Sequence, residues 1–153
     1  MLEGLKAADI HVQSQLIWYK NTIVLGQADY QWKHEICWYG WTKGKHHYWD
    51  GGRSLSTVWE FSKDANQSYQ HPTQKPVALG VNAIKNSCRT DGLVLDSFLG
   101  SGSTLIACEQ TDRTCYGMEL DPKYVDVIRK RYAKFISPED YEELWEEITP
   151  MIT

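Results

Sequence analysis

A glycine turn beside an acidic residue is the part of the sequence best suited to bind a ligand. Residues Val94–Thr104 read V-L-D-S-F-L-G-S-G-S-T, and they run from an apolar strand ending at Asp96 to a helix predicted to begin at Thr104. Gly100 and Gly102 permit backbone angles and close approaches that side chains would block. The helix start exposes unpaired N–H groups, which suit a carboxylate or a phosphate. The turn therefore predicts a cradle for a charged nucleoside cofactor.

Acids at the ends of two predicted strands favour one cofactor over another. Glu119 ends the strand Thr114–Glu119, where an acid commonly holds both ribose hydroxyls. Asp96 attracts an ammonium group and repels a pyrophosphate. A dinucleotide-binding turn also needs a third glycine, at the position where this chain has Leu105. These residues favour S-adenosylmethionine. A nicotinamide-dependent oxidoreductase and an ordinary turn without a ligand are the alternatives.

The elements around the turn are predicted to form a parallel βαβ unit. Pro76 suits the first turn of a helix that continues to about Ser87, and Asp121 with Pro122 caps a later helix. Further upstream, two segments rich in strand-forming residues predict an antiparallel pair, Val12–Tyr19 and Glu35–Trp41. The expected fold class is therefore α/β.

Composition and charge restrict the class of protein. The chain has 153 residues, the size of one domain, and a net charge of -4, which argues against a basic protein that coats nucleic acid. No apolar run reaches transmembrane length and no signal peptide is recognisable. The four cysteines include no C-x-x-C pair, so we expect a reduced, cytoplasmic protein without a metal site. The pair His46-His47 is interpreted as loop surface.

Three motifs together resemble the amino-methylating DNA methyltransferases. They are H-P-T-Q-K-P at 71–76, L-D-S-F-L-G-S-G-S-T at 95–104 and Y-G-M-E-L-D-P-K-Y at 116–124, with looser similarity over Gln15–Phe61. Their order resembles the permuted members, in which the catalytic half precedes the cofactor half. The resemblance implies a Rossmann-like methyltransferase fold, double-stranded DNA as partner, and methyl transfer to adenine N6 rather than cytosine N4.

The resemblance also implies a role for each residue of these motifs. Residues around the methionine part of the cofactor would be Asp96, Phe98, Gly100 and Gly102, and Ser103 would begin the helix beneath it. Glu119 would hold the ribose, and Asp121 would lie beside the adenine. Residues closing over the cofactor from the preceding helix start would be His71, Thr73 and Lys75. Lys75 suits the methionine carboxylate, although plain helix-entry surface is the alternative for His71 and Lys75.

The catalytic loop of this family, of D-P-P-Y type, has no counterpart in the sequence. Its first residue accepts hydrogen bonds from the target amine, and its aromatic residue stacks on a base flipped from the duplex. The five prolines are never consecutive, and D-P-K-Y at 121–124 is interpreted as a helix cap because it directly follows Glu119. No catalytic residue is therefore assigned in this chain. The loop and its neighbouring strands are expected upstream of Met1.

We interpret residues 1–153 as a single partial methyltransferase domain with an incomplete sheet. Its expected segments are a strand pair at 1–41, a possible DNA-contact loop at 42–70, the cofactor-binding half at 71–135 and an acidic tail at 136–153. Candidate DNA contacts are Lys43, Lys45 and Arg53, with a plain structural excursion as the alternative. Such a half is expected to be inactive alone, and to need an upstream polypeptide or a second copy. A non-catalytic module or degenerate remnant is the competing hypothesis.

Overall fold

A computed structural model describes residues 2–62 and 74–148 of the chain. The chain divides into two compact units, Met1–Ala65 and Asn66–Thr153, and each has a sheet of its own. None of the described helices is long and apolar enough to cross a membrane. The interpretation as a single partial domain in four segments stays a prediction.

The first unit is a long hairpin with one short added strand. Helix α1 spans Leu2–Ala7, strand β1 Ile10–Val24, strand β2 Trp32–Thr42 and strand β3 Val58–Glu60. The sheet order is β2-β1-β3, with β1 antiparallel to β2 and parallel to β3. The predicted antiparallel pair is confirmed. Strand β3, however, lies in the segment that was expected to be irregular.

A buried tryptophan anchors this first unit. Trp18 is only 1% exposed, and its indole Nε1–H donates to the carbonyl of Phe61 at 2.9 Å. The neighbouring Lys20 is also buried, and its ammonium pairs with the Glu35 carboxylate across the hairpin at 3.2 Å. Burial of a charge is costly unless it is paired, so this ion pair stabilises one register of the hairpin. Trp18 is therefore a core residue of the first unit.

The second unit contains the parallel βαβ arrangement. Its elements are α2 Val77–Ser87, β4 Leu93–Asp96, α3 Ser103–Glu109, β5 Thr114–Gly117, α4 Pro122–Ile136 and α5 Tyr141–Ile148. Strands β4 and β5 are parallel and pair from Leu93↔Thr114 to Asp96↔Gly117. Asp121 caps α4, as predicted, by accepting the N–H of Lys123 at 2.9 Å. The acidic tail contains α5, which packs against α4.

Helices α2 and α3 cover one face of the β4–β5 sheet. The buried cluster there contains Val77, Ile84, Ile106, Ala107 and Cys108, with Val94 and Cys115 of the strands packed against it. Side chains alternate across a strand, so the other face carries a different set of residues. We call this set the uncovered sheet face, and it consists of the exposed side chains of Leu93, Leu95, Tyr116 and Met118. Parallel sheets are normally covered on both faces.

The buried thiol of Cys108 makes the stability of the second unit depend on pH. Burial raises the pKa of Cys108 from 9.0 to about 12, and the adjacent Cys115 thiol adds to the shift. Between these values the unfolded chain loses the thiol proton while the folded chain keeps it. The contribution of the neutral thiol is therefore fully present below pH 9 and is lost as the pH rises to about 12.

We expect Cys108→Ala to reduce the loss of stability at alkaline pH. Urea denaturation at pH 8 and at pH 10 gives the unfolding free energy of each protein at both pH values. From pH 8 to pH 10 this free energy should fall in the wild type by about 1 kcal/mol more than it falls in the variant. Comparing the two decreases removes the constant cost of the cavity that the substitution leaves. An equal decrease in both proteins would show that Cys108 does not retain its proton.

Candidate functional site

The glycine turn between β4 and α3 has the backbone form that the sequence predicted. Gly100 and Gly102 have φ angles of 58° and 80°, in the left-handed region that side chains disfavour. A Cβ on Gly102 would also lie 3.1 Å from Cγ2 of Ile128 in α4. Any larger residue at Gly102 would therefore be strained and would push α4 away from the turn.

Asp96 is held rigidly at the carboxyl end of β4. Its Oδ1 accepts the N–H of Phe98 at 2.9 Å, and its Oδ2 accepts the hydroxyl of Thr104 at 2.6 Å. These two hydrogen bonds tie the carboxylate to both ends of the glycine turn. Each carboxylate oxygen has a further acceptor site, so Asp96 can also accept from a cationic ligand.

Glu119 connects the two turns that follow the parallel strands. Its Oε2 accepts the N–H of Gly100 at 2.8 Å, and its Oε1 accepts the N–H of Asp121 at 3.0 Å. The backbone adds a second connection, since the Leu99 N–H donates to the carbonyl of Met118 at 2.8 Å. Both carboxylates thus lie at the same edge of the sheet, where parallel strands bring their carboxyl ends together.

Two apolar side chains project beside these acids. Phe98 is 90% exposed and Leu120 is 98% exposed, and each belongs to one of the two turns. Both side chains are therefore open to contact with a ligand next to the fixed carboxylates. The edge of the sheet therefore offers both hydrogen-bond acceptors and apolar surface, which suits a ligand with ribose hydroxyls and a flat heterocycle.

The segment before α2 lies against the glycine turn. The hydroxyl of Ser103 donates to the carbonyl of Lys75 at 2.7 Å, and the Lys75 side chain is exposed. This bond places Lys75 beside the turn, as the sequence led us to expect. The other two residues predicted to close over the site, His71 and Thr73, lie outside the described part of the chain.

Arg131 of α4 is a residue of this site that sequence reasoning missed. Its Nη1 donates to the carbonyl of Ser101 at 2.9 Å, the hydroxyl of Ser101 at 3.0 Å and the hydroxyl of Ser103 at 3.2 Å. The only sequence signal is that Arg131 lies three residues after Ile128, and residues at that spacing share a helix face. An arginine at this spacing is not by itself a sign of contact with a distant turn.

The three candidate DNA contacts lie in the first unit and are all exposed. Lys43, Lys45 and Arg53 follow β2 in an ordered loop. His47 stacks on Trp41 of β2, with ring centroids 3.7 Å apart and an interplanar angle of 14°. Trp49 donates its Nε1–H to the carbonyl of Gly52 at 2.8 Å. These aromatic contacts hold the loop in shape and leave its cations facing solvent.

Within residues 2–62 and 74–148, no set of three or more His, Cys, Asp or Glu side chains is placed so that it could hold a metal ion. Site chemistry in the described residues therefore rests on hydrogen-bond acceptors, cations and apolar surface.

Sequence comparison relates the chain to known DNA methylases. Residues 6–130 match the N6/N4 methyltransferase family model, described as DNA methylase. The type II methyltransferase M.HinfI of Haemophilus influenzae is 38% identical over 98 residues, which cover 63% of this chain and 27% of that protein. M.HpaI of Haemophilus parainfluenzae is 36% identical over 83 residues, covering 52% and 26% respectively. The matches thus span about a quarter of the length of these two relatives.

Structural comparison also finds DNA methyltransferases. M1.HpyAVI in complex with SAM has a TM-score of 0.74 and 25% identity, and the likeness covers 85% of this chain and 66% of that one. The cytosine-N4-specific PvuII DNA methyltransferase has a TM-score of 0.68 at 18% identity, covering 96% and 60%. These neighbours confirm the predicted methyltransferase fold.

The match to the family model extends over the hairpin, the glycine turn, both strand-end acids and the first part of α4, which carries Ile128. It therefore includes the glycine turn and both carboxylates of the candidate site, and Arg131 directly follows the matched residues. The chain belongs to the DNA methylase family of N6/N4 amino-methyltransferases.

Proposed function

We propose that this chain provides the cofactor-binding part of an S-adenosylmethionine-dependent DNA amino-methyltransferase. The observation that carries the proposal is the pair of fixed carboxylates, Asp96 and Glu119, at the carboxyl ends of adjacent parallel strands. A site of this kind suits a ligand with an ammonium group and ribose hydroxyls better than it suits a pyrophosphate. M1.HpyAVI, which shares the fold, was solved in complex with SAM.

Each residue of the site has a proposed part in holding the cofactor. Asp96 accepts from the ammonium group, and Lys75 pairs with the methionine carboxylate. Glu119, whose two oxygens accept the Gly100 and Asp121 N–H groups, accepts from the ribose hydroxyls as well. Asp121 lies beside the adenine. When bound, the cofactor supplies a methyl group on a sulfonium.

The acceptor chemistry is proposed to need groups that this sequence does not contain. Methyl transfer to an exocyclic amine requires a polar acceptor for the amine protons and a surface on which the flipped base stacks. The sequence has no D-P-P-Y segment, and none of its residues is assigned this role. We therefore propose that the chain alone is inactive. Adenine N6 is preferred to cytosine N4 on the resemblance of the motifs.

The missing groups are proposed to come from a polypeptide that carries the D-P-P-Y half. The uncovered sheet face supports this proposal, because Leu95 and Tyr116 there are exposed although parallel sheets are normally covered on both faces. A second copy of the chain is the alternative partner. A second copy could bury the uncovered sheet face, but it would bring no D-P-P-Y segment.

Cofactor binding is the direct test of the proposed function. Calorimetry on the chain with S-adenosylmethionine and, separately, with NAD should show binding of the first and none of the second. Tight NAD binding without S-adenosylmethionine binding would instead favour an oxidoreductase. The competing module hypothesis, favoured by the lack of a catalytic loop, predicts cofactor binding without methyl transfer under any partner condition.

We expect the basic loop of the first unit to contribute to DNA affinity. The triple variant K43A/K45A/R53A should weaken duplex binding and reduce the slope of log affinity against log salt by about 2 to 3, since each lost phosphate contact lowers it by about 0.9. Fluorescence anisotropy with one duplex at several salt concentrations measures both quantities. Lys6→Ala, in α1, is the control for loss of a surface cation in the same unit. An unchanged salt slope in the triple variant would show that the loop is a structural excursion only.

A further inference from the structure

We infer that Arg131 is a positioning residue for the cofactor turn, and that it acts by holding the turn in its left-handed form. This inference rests on the proposed function. It assigns a role to a residue of α4 that does not belong to the glycine motif and that we do not expect to touch the cofactor. Its role would be to set the distance between the turn, Lys75 and the bound cofactor.

The guanidinium of Arg131 bonds the turn at three oxygen atoms. A single nitrogen, Nη1, lies 2.9 Å from the carbonyl oxygen of Ser101, 3.0 Å from its hydroxyl oxygen and 3.2 Å from the hydroxyl oxygen of Ser103. Ser101 is only 3% exposed and lies between Gly100 and Gly102. The positive charge therefore stabilises the carbonyl and the hydroxyl of buried Ser101, which would otherwise be poorly solvated.

Ser103 links Arg131 to the segment that precedes α2. The hydroxyl of Ser103 accepts from Arg131 and donates its own proton to the carbonyl of Lys75 at 2.7 Å. With its acceptor position occupied by Arg131, the hydroxyl is oriented toward Lys75. Arg131 thus fixes two parts of the proposed cofactor site, the turn and the backbone of the residue proposed to bind the methionine carboxylate.

Packing and hydrogen bonding act together at this helix. Ile128 contacts the position of Gly102, where a Cβ would lie 3.1 Å from its Cγ2, and Arg131 lies one turn further along α4. Ile128 excludes side chains larger than glycine, while Arg131 supplies directional bonds that fix the peptide orientation. Lysine at position 131 would keep the charge but not the planar guanidinium, so it would restore only part of the effect.

Arg129 provides a matched control on the same helix. It makes an i,i+3 ion pair with Asp126 at 3.7 Å, a surface interaction whose loss changes stability little. Arg131→Met and Arg129→Met remove the same charge and side-chain shape from α4. The two variants therefore differ in whether the glycine turn loses hydrogen bonds.

The test combines hydrogen exchange in the ligand-free chain with calorimetry using S-adenosylmethionine. In Arg131→Met we expect faster exchange at the amides of Gly102 and Ile106, whose acceptors are the carbonyls of Leu99 and Gly102, without faster exchange in β4 and β5. Affinity for S-adenosylmethionine should fall about 10-fold, equivalent to about 1.4 kcal/mol. Arg131→Lys should be intermediate in both measurements, and Arg129→Met should match the wild type.

Each possible result bears on the inference. Unchanged turn exchange in Arg131→Met, or equally increased exchange throughout the second unit, would overturn it, since the residue would then act on general stability only. Faster turn exchange with unchanged affinity would overturn the link to the cofactor. If the wild-type chain does not bind S-adenosylmethionine, the proposed function fails, and turn exchange alone decides whether Arg131 positions the turn. If Arg131→Met does not fold, Arg131→Lys gives the comparison, since it keeps the charge but not the planar guanidinium.

Discussion

Glu119→Ala should weaken the binding of S-adenosylmethionine by about 10- to 100-fold, or about 1.4 to 2.8 kcal/mol. Leaving buried ribose hydroxyls unpaired costs about 1 to 3 kcal/mol. In the structure Glu119 also accepts the N–H groups of Gly100 and Asp121. Because alanine removes the ribose acceptor and also the side-chain bonds to these two N–H groups, the effect should exceed the loss of the ribose bonds alone.

Two further variants separate these contributions. Glu119→Gln keeps one acceptor oxygen and replaces the other with a donor, so it should lose one turn bond and weaken binding less than alanine. Glu109→Ala is the control for loss of a carboxylate in the same unit, since Glu109 accepts the Tyr132 hydroxyl at 2.9 Å, away from the turn. Calorimetry measures all three variants. Unchanged affinity in Glu119→Ala would show that the ribose assignment is wrong.

A polypeptide carrying the D-P-P-Y half should raise methyl transfer by at least about 100-fold over the chain alone. A positioned group that accepts protons in the transition state contributes at least this much, and the half would also supply the stacking surface for the flipped base. The assay uses unmethylated duplex and labelled S-adenosylmethionine, with the chain, the second polypeptide and their mixture measured separately. Efficient turnover by the chain alone as a monomer would contradict the proposal.

The uncovered sheet face allows the contact itself to be tested. Leu95 is 65% exposed at the centre of this face, so Leu95→Lys should block activation by the second polypeptide without weakening S-adenosylmethionine binding. Lys85→Ala, on the exposed side of α2, is the surface control and should be activated normally. If sedimentation shows that Leu95→Lys instead dissociates a dimer of this chain, the face is a homo-oligomer contact. If the mixture stays inactive in the wild type, the non-catalytic module is favoured.

Local rules explain why much of the second unit could be predicted. Asp121 with Pro122 signals a helix start through its own side chain and ring, and Gly100 with Gly102 signals a turn through φ. Such signals depend on only a few neighbouring residues, so they can be recognised in the sequence without knowledge of the fold. The parallel βαβ order follows in the same way from alternating helix and strand patterns.

The motifs by themselves also determined the family, because their residue types and order are specific to one chemistry. Tertiary structure alone decided which groups meet. It placed Glu119 between two turns that are 19 residues apart in sequence, and it brought Arg131 to Ser101 over a separation of 30 residues. It also paired β3 with β1, and within the described residues it left Leu95 exposed on one face of the β4–β5 sheet. These outcomes depend on packing between distant segments, which composition and periodicity along the chain do not encode.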